Sequence, residues 1–162
     1  MADVLLNQVD GFQRSDASGT VALPFAVEAS WVTGKWDKLR AYLSSTPVSV
    51  ETDFNVGVGR ALLALSDGEL ETFSRLLDRL RHNTARGLSV TNTTSLQGCH
   101  ELLLRFHVLT EIEMISGIRG RLNGEKNSLL ASLGQRLDVL GPFHSDKQYV
   151  LGLRRATMQL SS

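Results

Sequence analysis

The heptapeptide Trp31-Val32-Thr33-Gly34-Lys35-Trp36-Asp37 has an echo 34 positions further along the chain. Sliding the sequence by that interval lays Gly34 on Gly68, Trp31 on Leu65, Trp36 on Leu70 and Asp37 on Glu71. Leu39 then falls on Phe73, Tyr42 on Leu76 and Leu43 on Leu77. A small residue held between large apolar ones at this period marks stacked helix-turn-helix repeats of the tetratricopeptide kind. In such a unit the glycine is expected to let two antiparallel helices approach at their turn. Trp31, Trp36, Leu39, Leu65, Leu70 and Phe73 would fill the space between them, and truncating either tryptophan would then cost about 3–5 kcal/mol. The fold class this predicts is all-α, an α-solenoid of tetratricopeptide-like hairpins with about six or seven helices.

The rest of the chain divides along the same lines. Residues 1–20 read as a poorly anchored lead-in or partial helix, and 21–162 as the repeat segment. A first helix is expected over Leu23–Val32, with Pro24 in its first turn, and a second over Trp36–Leu43. The stretch from Ser44 to Pro47 breaks the pattern. Phe54, Val58, Ala61, Leu62 and Leu65 are spaced for one face of a helix over Asp53–Leu65. Ser66-Asp67-Gly68-Glu69 has the form of a capping box opening a helix from Gly68 to Arg86 with Gly87 as its stop. Thr94 to Gln97 offers a second box before a helix over Leu96–Ile115. Gly117, Gly120 and Gly124 then mark a loop. A helix over Leu129–Leu140 closes at Gly141-Pro142, and Ser145 to Gln148 forms a third box for the last helix. The apolar stretch Leu23–Val27 and the last helix both read as ends that continue into, or dock on, further protein.

Charge and composition exclude several classes. Lys and Arg number 17, as do Asp and Glu, giving a formal net charge of zero. A dedicated binder of nucleic acid or of an anionic membrane would normally be basic. The single cysteine, Cys99, leaves no internal disulfide and suits a reducing compartment such as cytosol or nucleus. The N-terminus lacks the features of a signal peptide, and no apolar run reaches the roughly 20 residues of a membrane span.

Candidate chemistry is sparse. His100 and His107 lie seven apart on one expected helix, about 10 Å along its axis. That is too far to share a zinc ion, so they read as histidines at helix boundaries. Gly57-Val58-Gly59 lacks the third glycine and the preceding strand of a dinucleotide loop; glycines there would admit a neighbouring helix. Asn92-Thr93-Thr94 has the form of a glycosylation sequon, unused without a secretory signal. Glu111 and Glu113, two apart on a helix, point in different directions. No catalytic, cofactor-binding or metal-ligating set is expected. Arg75, Arg79, His82 and Arg86 share one helical stripe, a candidate face for an acidic partner, or a solvated face balanced by Glu69, Glu71 and Asp78.

Three segments in order carry a resemblance: Glu28–Leu39 with its Trp31 and Trp36; Leu103–Glu113 with Phe106, His107, Leu109, Glu111 and Glu113; and Leu151–Ala156 with Arg154 and Arg155. Together they resemble the FAT region of the phosphatidylinositol 3-kinase-related protein kinases, nearest to the ATR-type DNA-damage checkpoint kinases of the fungal branch. The Trp-x-x-x-x-Trp-Asp pattern is shared with relatives such as the ATM type; the segment around His107 tilts the resemblance to the ATR type. It implies an α-solenoid of tetratricopeptide-like repeats wrapping a kinase domain. The parent would phosphorylate Ser or Thr, often before Gln, in the nucleus, using ATP and magnesium. Implied partners are the kinase domain, flanking helical repeats and an ATR-interacting protein, or a second copy. None of the family's ATP-binding or catalytic motifs occurs in these 162 residues, so no catalytic residue is carried over. The alternative is a free-standing tetratricopeptide-like adaptor holding a peptide or partner protein in a groove.

Overall fold

The computed structural model describes residues 16–46, 52–90, 96–117 and 123–161. These form seven α-helices: α1 (Asp16–Val32), α2 (Trp36–Ser44), α3 (Phe54–Ser66), α4 (Leu70–Val90), α5 (Leu96–Ser116), α6 (Asn123–Val139) and α7 (His144–Ser161), with no strand among the described residues. The fold is all-α, as the repeat and the helical spacing predict. The chain divides into two compact units, Met1–Leu76 and Leu77–Ser162.

In the first unit, α1, α2 and α3 pack on one another. The 34-residue echo is an echo of backbone conformation. After α1, Gly34 takes φ +71°, its N–H donates to the Trp31 carbonyl at 3.3 Å, and the Lys35 N–H donates to Ser30 at 2.9 Å. After α3, Gly68 takes φ +76°, donating to Leu65 at 3.2 Å, while the Glu69 N–H donates to Ala64 at 2.9 Å. Both are Schellman turns, in which a left-handed residue satisfies the last carbonyls of the helix. The following helix then begins in the same register in each copy: Leu39 N–H donates to Lys35, and Phe73 N–H donates to Glu69.

This changes two expectations. The glycines serve the positive φ, which a side chain tolerates poorly, and a Cβ at Gly68 would meet nothing within 4 Å. Close approach occurs instead at Gly59 in α3. A Cβ there would lie 2.8 Å from Val27 Cγ1 and 3.2 Å from Leu39 Cδ1, so α1 and α2 pack where α3 lacks a side chain. The Ser66–Glu69 stretch is not a capping box either: Ser66 is the last residue of α3 and Asp67 its C-cap.

Repeat positions are unequal in burial. Trp31, Leu39 and Leu65 are fully buried, and Phe73, Tyr42, Leu43 and Leu77 nearly so. Trp36 is only partly buried, and Leu70 is 57% exposed, so Leu70 is not a core residue. Both begin their helices, where the chain is only just turning back towards its partner. Asp53 caps α3 by accepting from Asn55 N at 2.8 Å and Val56 N at 3.2 Å, which satisfies two of the N–H donors a helix start leaves free.

Other boundaries differ from the sequence expectation. Helix α1 begins at Asp16, so Pro24 sits inside it and residues 16–20 are helical; the rest of the expected lead-in lies outside the described residues. Gly87 does not stop α4, which runs to Val90. A Cβ at Gly87 would come 3.3 Å from Leu102 Cδ2, so its smallness serves the contact with α5. The expected Thr94–Gln97 box and the Asn92 sequon fall largely outside the described residues. Gly124 belongs to α6, not to a loop. Ser145 lies within α7, which starts at His144, so no Ser145 box caps it. Gly141, φ +62°, does end α6.

In the second unit α5 packs chiefly against α7 and also against α6. Its apolar core is built from Val108, Leu109, Ile112 and Ile115 of α5, Leu133 of α6, and Val150, Leu153 and Ala156 of α7.

Candidate functional site

Within that second core lies a charged cluster. Glu111 is 1% exposed and Arg154 is 8% exposed. Arg154 grips the carboxylate with two bonds, Nε to Oε2 at 2.6 Å and Nη2 to Oε1 at 2.7 Å. The same Nη2 donates to the Leu133 carbonyl of α6 at 2.6 Å. His107, one turn before Glu111, places Nε2 2.9 Å from Oε1. Arg136 Nε stands 3.5 Å from that oxygen, and its Nη2 donates to the His107 carbonyl at 3.3 Å.

One carboxylate thus gathers groups from α5, α6 and α7. Burial pushes the Glu111 pKa up, but the hydrogen bonds from Arg154 and then the nearby His107 outweigh it, and the carboxyl is held below its ordinary value. It is an ionised acceptor, and the two hydrogen bonds it accepts both come from Arg154. Isolated, such a charge would be expensive to bury; paired on both oxygens it becomes the tie between three helices.

Glu111 and Glu113 stand two apart on α5. The two diverge as expected: Glu113 lies at the surface, bonded to Arg81 Nη2 at 2.5 Å. The cluster itself escapes a reading by neighbours in sequence, because 43 residues separate Glu111 from Arg154. A signal for it does exist. Val108, Glu111, Ile112 and Ile115, like Val150, Leu153, Arg154 and Thr157, are spaced as inward faces carrying one charge each.

The first unit holds a milder counterpart. Asn55 Nδ2 of α3 donates to Glu28 Oε2 of α1 at 2.9 Å. Burial raises the Glu28 pKa, against the Asn55 hydrogen bond, and nearby Asp53 adds to the rise.

The expected cationic stripe is real as a surface. Arg75, Arg79, His82 and Arg86 are all exposed on α4, and none makes an ion pair among the described residues. Arg81, by contrast, reaches Asp78 at 3.6 Å as well as Glu113.

Catalytic arrangements find little support. An open groove of about 530 Å³ is lined by Leu96, His100, Phe143, Ser145 and Asp146, among others. His100 Nε2 sits 2.7 Å from Asp146 Oδ2, and its ring is 4.9 Å from that of Phe143. Ser145 makes no side-chain hydrogen bond to this pair among the described residues, so the nucleophile–base contact of a hydrolytic triad is not formed. No group of three or more metal-ligating side chains occurs among the described residues. No described helix is long and apolar enough to cross a membrane.

What these elements define is a helical scaffold: hairpins fixed by left-handed turns in one unit, and helices tied through a buried carboxylate in the other. The model of the FAT domain matches residues 23–162. The chain belongs to the FAT domain family, the helical scaffold segment of phosphatidylinositol 3-kinase-related kinases. No curated protein matches the sequence.

Proposed function

We propose that this FAT segment serves an ATR-type checkpoint kinase, where it braces the kinase domain in the nucleus and contributes to contacts with an ATR-interacting partner or a second copy. The parent enzyme would supply ATP and magnesium chemistry from elsewhere in its sequence. The observation that carries this reading is the ordered set of three segments around Trp31, His107 and Arg154. In support, their polar members hold the scaffold together: Glu28 joins α1 to α3, and His107, Glu111 and Arg154 meet in one cluster.

The coding sequence downstream of Ser162 tests the assignment. An in-frame kinase domain most similar to ATR-type enzymes is expected; one of the ATM type, or none, overturns it. A tagged full-length protein should then recover kinase activity towards Ser-Gln peptides from nuclear extract.

The exposed stripe on α4 favours a second reading, a free-standing adaptor. Light scattering after size-exclusion chromatography separates the two: a monodisperse monomer supports the adaptor, and self-association supports the scaffold.

A further inference from the structure

We draw no further inference here: the strongest candidate, the open groove between the first turns of α5 and α7 lined by Leu96, His100, Phe143 and Asp146, sets exposed apolar side chains beside a carboxylate already engaged by His100, and nothing in the structure shows what covers it.

Discussion

The two units of this chain solve the same problem, holding helices side by side, with different physics. In the first, α1, α2 and α3 meet through shape. Trp31, Leu39, Leu62 and Leu65 are fully buried, and Gly59 gives up its side chain so that Val27 and Leu39 can approach. In the second, the apolar core of α5, α6 and α7 also encloses a charged tie, with Arg154 bonded to both oxygens of Glu111 and His107 and Arg136 close to one of them. A shape-based core loses stability in proportion to what is removed. A charge-based core fails abruptly, because removing one member strands the other in low dielectric.

The largest expected effect follows from that asymmetry. Arg154→Ala should destabilise the chain by about 3–5 kcal/mol, since Glu111 would keep its charge without its bidentate partner. Replacing both residues by methionine should cost far less, and is expected near neutrality, because the apolar pair carries no desolvation penalty. Urea melts of the single and double variants check this. A double variant as unstable as Arg154→Ala would show that shape, not charge, governs this unit too.

Next in size is the pair of tryptophans. Trp31→Ala removes a fully buried indole and should cost about 3–5 kcal/mol. Trp36, partly buried at the start of α2, should cost clearly less when truncated. Equal losses in melts of the two variants would mean that the repeat positions are energetically alike despite their burial.

That inequality shows what the sequence made legible. A 34-residue interval was visible because glycine is the residue that takes φ near +70° at a helix end, and the apolar positions around it keep helical spacing. What each position does was less legible. Leu70 aligns with Trp36 yet lies exposed, because alignment reports register and not depth. Ser66-Asp67-Gly68-Glu69 fits a capping box as a string of letters, but Gly68 in the left-handed region ends the helix before it. The Glu111 cluster was hidden for another reason: it exists only once α5 and α7 are side by side. Its one local trace was a charge on each of two inward helical faces.

A smaller effect separates the two kinds of glycine. Gly59→Ala places a methyl group 2.8 Å from Val27 Cγ1, and overpacking of this sort should cost about 1–3 kcal/mol. Gly68→Ala meets no neighbour within 4 Å but must hold φ +76°, which should cost about 1–2 kcal/mol. Enlarging that first side chain further distinguishes the mechanisms. Gly59→Val should be markedly worse than Gly59→Ala, whereas Gly68→Asn should recover part of the loss, since asparagine tolerates the left-handed region. If asparagine is no better than alanine at 68, the turn is not what fixes the repeat.

The smallest expected effect is a difference in sign. Glu111 is held below its ordinary pKa of 4.5 by Arg154 and His107. The unfolded chain therefore takes up its proton first, and the stability it contributes is present above pH 4.5 and lost as pH falls through the depressed value. Glu28 is shifted the other way, chiefly by burial. Its ionised form is disfavoured in the fold, so it weakens the fold above its raised pKa. That penalty is relieved as pH falls from the raised value to 4.5. Glu28→Gln, which keeps the shape without the charge, should accordingly gain more stability near about pH 7 than near about pH 4. Glu111→Gln should be destabilised most near neutrality and approach the parent as the parent acidifies. Chemical melts across this range check both slopes. Slopes of the same sign for the two variants would break the contrast between a carboxylate that the fold holds charged and one that it tolerates.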